Sequence, residues 1–257
     1  MRLHRIVPVL LYRAGHLVRS QQFLRHYHIG DPFQQLRRYL EWDVDEIIYL
    51  DISPHVNSDR PLLADLRELT ERCFAPVAIG GGIHTLDDIE RHLESGADRV
   101  VLGSAAVLDP SFVDAAANRF GSQAIIVSVD YRQGTDNQRA VHIQNGRSIT
   151  DRQIVDWVAE LHDRGAGEIL LHSIDRDGMG GGYDLALISE LSQKLSARLI
   201  ACGGASNYQH FTGAISHGAS AVAASNIFCF KELAYEHAKE AMIGADLPVR
   251  RPQYEAM

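Results

Sequence analysis

The residues best suited to chemistry are two glycine clusters and a small set of aspartates. Gly80-Gly81-Gly82 ends one short apolar run, and the next such run ends in Gly103-Ser104. Further along, Gly203-Gly204 and Ser225-Asn226 repeat the arrangement. Backbone N–H groups unscreened by side chains can cradle phosphate oxygens, and a following helix N-terminus adds its positive end. Tight turns alone would account for one lone pair of glycines. Two copies, each beside a second Gly-Ser or Ser-Asn loop, point to a substrate with phosphate at both ends. The candidate binding residues are therefore Gly81, Gly82, Gly103, Ser104, Gly203, Gly204, Ser225 and Asn226.

Asp51, Asp130, Asp175 and Asp177 follow or end other apolar runs. A carboxylate at a dry cavity mouth can have a raised pKa and move protons near neutral pH. Asp130, at the very end of its run, has the best placement. Capping or a loop salt bridge is the plainer reading of Asp51 or Asp175 alone. The segment Ile174-Asp175-Arg176-Asp177-Gly178 sets two acids and an arginine before a glycine, which capping does not require. His172 stands beside Ser173 near the end of its run and could face the same space. No pair among the 13 histidines has metal-ligand spacing, so neither a metal nor another cofactor is expected. No G-x-S-x-G elbow supports a serine nucleophile. Cys202 reads as a packed core thiol.

Eight apolar, β-branched runs must position these residues: 5–11, 45–51, 76–79, 98–102, 123–129, 168–173, 198–202 and 219–224. Between them lie amphipathic stretches near 32–42, 60–72, 86–95, 110–119, 151–164, 185–196, 207–217 and 230–242. Asp31-Pro32 and Asp109-Pro110 mark helix starts; Gly96, Gly165 and Gly218 mark helix ends. Near-continuously apolar strands imply burial on both faces, as in a parallel sheet. Eight βα units in 257 residues predict a single (β/α)₈ barrel, a TIM-type α/β fold. A doubly wound sheet would need a glycine fingerprint after the first strand, and none is there. In such a barrel the loops after the strands carry function, and that is where the glycines and aspartates fall. At the opposite end, Arg5, Glu46, Arg99 and Glu168 stand at strand starts, where charges of both signs could close the barrel floor.

The chain also repeats itself. Gly96-Ala97-Asp98 matches Gly218-Ala219-Ser220, and Ile79-Gly80-Gly81-Gly82 matches Ala201-Cys202-Gly203-Gly204, both at an offset of 122. Leu11-Tyr12-Arg13-Ala14-Gly15 matches Asp130-Tyr131-Arg132-Gln133-Gly134 at an offset of 119. Two fused half-barrels, about 1–122 and 123–245 with a short C-terminal tail, are expected to close on each other into one domain.

Composition narrows the function class. Hydrophobic residues make up 46% and charged residues 23%, with a net charge of −8. No basic excess recommends a nucleic-acid partner, and no apolar run is long enough for a membrane span. The N-terminal MRLHRIVPVLLYRAG reads as a strand, not a signal peptide. Three scattered cysteines (Cys73, Cys202, Cys229) fit a reduced, cytoplasmic protein.

Together these residues resemble the cyclase subunit of imidazole glycerol phosphate synthase, over about residues 4–245. The matching stretches are GDP (30–32), DEIIYLDI (45–52), IGGGI (79–83), SGADRVVLGSAAV (95–107), FGSQAIIVSVD (120–130), RGAGEILLHSIDRDGMGGGYD (164–184) and ACGGA (201–205). The resemblance implies a barrel lyase with two phosphate sites, fed with ammonia by a glutaminase docked on the N-terminal face. Arg5, Glu46, Arg99 and Glu168 match the family's charged ammonia gate, with Arg99 where lysine is usual. Asp130, Asp51, Asp177 and Arg19 take the catalytic places, and His172 and Gly178 join the substrate-binding set.

There are departures. The family uses two aspartates as acid and base; Asp130 fills one place, and Leu11 stands in the other. The internal repeat also sets Leu11 opposite Asp130. A leucine cannot transfer a proton, a step typically worth about 10²–10⁴-fold. Arg19 replaces a lysine, and Gly103-Ser104 replaces Asn-Thr. The pattern is similar to a paralogous group that works with a glutaminase-like subunit and a separate amidotransferase. That group amidinates amino sugars of bacterial surface polysaccharides, and this is the favoured reading. The alternatives are the histidine-biosynthesis cyclase itself, acting on a ribulosyl-aminoimidazole carboxamide nucleotide, and a non-catalytic scaffold that only conducts ammonia.

Overall fold

The computed structural model describes residues 3–53, 75–134, 138–231 and 233–251. Eight strands pair in parallel, each with the next: β1 (Arg5–Arg13), β4 (Ile47–Asp51), β5 (Val77–Gly80), β6 (Arg99–Leu102), β7 (Ile125–Gln133), β10 (Glu168–Ser173), β11 (Leu199–Cys202) and β12 (Ala221–Ala224). β12 pairs in parallel with β1 and closes the ring. Carried round the ring, the register offsets return to β1 eight residues before the start. A shear of eight over eight strands is the closure of a (β/α)₈ barrel.

The apolar runs are continuous because each strand buries both faces. Alternate residues Val7, Val9 and Leu11, with Ile48, Ala78, Val101, Ile126, Leu170 and Ile200, fill the barrel interior. Their neighbours Ile6, Leu10, Ile47, Ile79, Val100, Val127 and Leu171 pack outward under the helices. Among those helices are α1 (Pro32–Glu41), α2 (Leu86–Glu94), α3 (Ser104–Leu108), α4 (Ser111–Phe120) and α5 (Ile154–Asp163). α6 (Leu185–Lys194), α7 (Tyr208–Ser216), α8 (Asn226–Phe230) and α9 (Ala234–Gly244) complete the described set. The Asp31 carboxylate accepts from the Gln34 N–H at 3.1 Å and starts α1. Gly96 and Gly218, at φ +99° and +108°, end α2 and α7. The expected helix 60–72 and Cys73 lie outside the described residues.

Two features depart from the sequence expectation. β1 runs past the barrel rim into an antiparallel hairpin, β2 (His16–Gln21) and β3 (Arg25–Gly30). β7 does the same with β8 (Arg139–Ile143) and β9 (Ser148–Gln153). The helix expected from 151 therefore begins at Ile154, because 148–153 are spent on β9, where the Thr150 hydroxyl donates to the Val141 carbonyl at 2.9 Å. The last helix begins at Ala234 instead of 230, after the short α8.

Candidate active site

The C-terminal mouth of the barrel holds a cavity of about 440 Å³ and a small one of about 30 Å³. Asp51, Gly81, Gly82, Gly103, Ser104 and Asp130 line the large one. Asp177, Gly178, Gly203, Gly204, Ser225 and Asn226 line the small one. His172 and Leu11 border both. The glycines are conformationally required. At Gly81, φ is +109°, and a Cβ would fall 2.1 Å from the Asp51 carbonyl oxygen. At Gly204, φ is +103°, and a Cβ would fall 2.2 Å from the Gly182 oxygen. Both loops thus leave bare backbone at the cavity wall.

The hairpins cross between the halves. The β8–β9 turn reaches the first glycine cluster: Gln144 N–H donates to the Ser104 hydroxyl at 2.9 Å, and Arg147 lines the large cavity. The β2–β3 hairpin reaches the second: Gln22 N–H donates to the Asp177 carbonyl at 2.9 Å, and a Cβ on Gly178 would meet the Ser20 oxygen at 2.5 Å. Arg19 lines neither cavity. Its guanidinium lies over the Tyr27 and Phe230 rings, 4.5 and 5.4 Å from their centroids. Asp175 is also away from both cavities. It accepts from Arg132 at 3.1 Å and from the Gln133 N–H at 2.7 Å, which ties the loop after β10 to the β7 extension.

His172 stands where the two cavities meet. β10 ends one residue beyond it and turns it inward, in register with Asp130 on β7 and Cys202 on β11. Its Nδ1 is 3.9 Å from the Asp130 carboxylate and its Nε2 is 3.8 Å from that of Asp177. Phe23, from the β2–β3 turn, packs edge-on at 4.8 Å between ring centroids. Burial disfavours a charged His172, but the Cys202 sulfur and the Asp177 carboxylate outweigh it and hold the ring protonated well above its ordinary range. Burial also pushes the Asp130 carboxyl up, and His172 and the Ser128 hydroxyl, donating at 2.8 Å, offset only part of that. For Asp177 the balance reverses: burial raises its carboxyl, and His172 overcomes it and holds it low. Leu11, 5% exposed, belongs to the apolar interior cluster.

At the other end of the barrel, Glu46 and Glu168 are buried and shared between arginines. Glu168 pairs with Arg5 and Arg99, each at 2.5 Å, and with Arg198 at 2.8 Å. Glu46 pairs with Arg5 and, at 3.0 Å, with Arg99. Burial raises the Glu46 carboxyl against the pull of Arg5 and Arg99. Burial acts the same way on Glu168, but Arg5, Arg99 and Arg198 win and hold it low. Sequence reasoning missed Arg198, although it opens the run 198–202 just as Arg5 and Arg99 open theirs. It also missed Arg147 and Phe23, which the unforeseen hairpins deliver. Among the described residues, no group of three or more His, Cys, Asp or Glu side chains is arranged to hold a metal ion. No helix of the described residues is long and apolar enough to cross a membrane.

A family model described as "Histidine biosynthesis protein" matches residues 5–234. The chain is 37% identical over 248 residues to the imidazole glycerol phosphate synthase subunit HisF of Alkaliphilus metalliredigens, covering 96% of this chain and 98% of that one. It is 38% identical to the Gluconacetobacter diazotrophicus subunit, covering 96% and 95%, and 37% identical to that of Helicobacter hepaticus, covering 96% and 98%. A closed (β/α)₈ barrel with likeness of this extent settles the lineage: the chain belongs to the histidine biosynthesis protein family, among relatives that are HisF subunits of imidazole glycerol phosphate synthase.

Proposed function

We propose that this chain is the ammonia-accepting, cyclase-type synthase subunit of a glutamine amidotransferase complex, acting on a small molecule phosphorylated at both ends. The observation that carries the reading is the Asp130–His172–Asp177 cluster between two glycine-walled cavities. Gly81, Gly82, Gly103 and Ser104 would bind one phosphate; Gly178, Gly203, Gly204, Ser225 and Asn226 would bind the other. Arg147 would add positive charge at the first from the β8–β9 hairpin. Asp130 would be the base, with Asp51 and Asp177 beside the reacting atoms. Arg5, Glu46, Arg99 and Glu168, joined by Arg198, would gate ammonia arriving from a glutaminase on the N-terminal face. The apolar interior favours neutral ammonia over ammonium, because an isolated charge is costly to bury. The repeat offsets and the matched hairpins after β1 and β7 support two fused half-barrels, about 1–122 and 123–245.

The names of the relatives favour the imidazole glycerol phosphate reaction of histidine biosynthesis over the polysaccharide pathway. One observation favours the second reading. Leu11 sits in the apolar cluster at the mouth and carries no proton, which suits a paralogue whose substrate differs, such as one serving polysaccharide amidination. The deciding experiment supplies ammonium salt and the ribulosyl-aminoimidazole carboxamide nucleotide to the purified chain. Turnover that Asp130→Asn abolishes supports the histidine-pathway substrate. Tight binding of the nucleotide without turnover, together with turnover gained in Leu11→Asp, supports the paralogue. Neither binding nor turnover refutes the histidine-pathway substrate and leaves a paralogue with another substrate or the ammonia-conducting scaffold.

A further inference from the structure

We infer that His172 is a proton-transfer residue paired with Asp130, the two forming an acid–base couple that resets itself within the protein. The inference rests on the proposed synthase reading and goes beyond it by naming the acid. A base that removes a substrate proton needs a partner that delivers one to the departing oxygen. Leu11, which borders both cavities, cannot serve. Among the described residues the one ion pair of Asp130 is with His172. His172 also borders both cavities, so one ring is within reach of ligands in either.

Its surroundings suit transfer better than storage. Both carboxylates stand 3.8–3.9 Å from the ring nitrogens, outside normal hydrogen-bond distance, so neither fixes the ring protons tightly. Phe23 packs against the ring in a T-shaped contact, 4.8 Å between centroids. The titratable groups facing the pair are Asp177 from the loop after β10, Cys202 on β11 and His142, which opposes Asp130 on β8. Burial lowers the affinity of His142 for a proton, so it adds little positive charge near neutral pH.

The proton count closes. The resting couple is Asp130 carboxylate with His172 imidazolium. Asp130 takes a proton from a substrate C–H or N–H, and His172 gives its Nδ1 proton to a substrate oxygen that leaves as water, keeping Nε2–H toward Asp177. Asp130 is then protonated and His172 neutral. Transfer of the acid proton from Asp130 to Nδ1 of His172 restores both, with no proton drawn from solvent. Asp177 keeps its charge throughout and steadies the imidazolium.

The test measures ammonia-driven turnover against pH in the wild-type chain and in His172→Gln, with rates expressed per free NH₃. Inorganic phosphate titrations and thermal unfolding serve as folding controls. The expected result is a kcat about 10²–10³-fold lower, with KM and phosphate affinity within threefold of wild type and the alkaline limb of the profile gone. A variant kcat within threefold of wild type, or a profile that keeps both limbs, overturns the inference. A wild-type chain inert on the ribulosyl-aminoimidazole carboxamide nucleotide would instead count against the histidine-pathway form of the synthase reading. The inference is then judged by NMR of histidine-labelled wild-type protein. An imidazolium signal for His172 persisting at pH 8, and weakened in Asp177→Asn, supports it; a neutral ring at pH 7 refutes it.

Discussion

Replacing Glu168 with Gln should unmask how strongly the barrel floor depends on one carboxylate. Glu168 is fully buried and takes ion pairs from Arg5, Arg99 and Arg198. Glutamine keeps the shape and one acceptor oxygen but takes a carboxylate charge away from three guanidiniums, of which Arg5 and Arg99 keep Glu46. Breaking a buried pair by removing one partner typically costs about 3–5 kcal/mol. The arginine side chains are 22%, 13% and 37% exposed, so water recovers part of the loss. A cost of about 2–3 kcal/mol follows, or a Tm lower by about 4–12 °C for a chain of this size. The pH dependence has a definite sign. The Glu168 carboxyl is held below its unfolded value, so its contribution is complete above about pH 4.3 and fades as pH falls through the folded value. Glu46 is the internal control. Its carboxyl is raised in the fold, so its ionised form contributes less near neutral pH, and Glu46→Gln should cost less than Glu168→Gln at pH 7. Urea unfolding of both variants at pH 7 and pH 4 measures this. Equal losses for the two, or a Glu168→Gln loss that grows toward pH 4, would refute the assignment of charges.

Other outcomes follow from single contacts. Gly81→Ala and Gly204→Ala should each abolish saturable phosphate binding at their own cavity in calorimetry and spare the other, because the added Cβ strikes a carbonyl oxygen. Leu11→Asp places a carboxyl in the apolar interior cluster and should cost about 1–3 kcal/mol at pH 8. That loss should shrink as pH falls through the raised carboxyl value, read by unfolding at both pH values. Lys239→Met removes the buried partner of Asp45, 2.5 Å away, and should cost about 3 kcal/mol in urea unfolding.

The eight barrel strands were legible because burial on both faces writes itself as near-continuous apolar runs such as Leu199–Cys202. The glycine clusters were legible because only glycine fits beside the carbonyls of Asp51 and Gly182. The hairpins were harder to see. β3 is exposed along most of its length, so no apolar alternation marks it. The second hairpin did leave a signal: Asn145-Gly146, both at positive φ, is a common hairpin turn. Because Phe23 and Arg147 ride on these hairpins, their part in the site was hidden too. The setting of His172 was only half visible. Its place on a strand end could be read, but the convergence of Asp130 and Asp177 on its two nitrogens depends on barrel register and a loop turn.

The central claim, that this barrel adds ammonia nitrogen to a bisphosphorylated substrate, is tested most directly by isotope transfer. The purified chain is incubated with ¹⁵N-ammonium and the ribulosyl-aminoimidazole carboxamide nucleotide, and the products are weighed by mass spectrometry. The account predicts a product one mass unit heavier than with ¹⁴N-ammonium, absent in Asp130→Asn. A chain that binds the nucleotide in both cavities yet incorporates no ¹⁵N, even with Leu11→Asp, would contradict it.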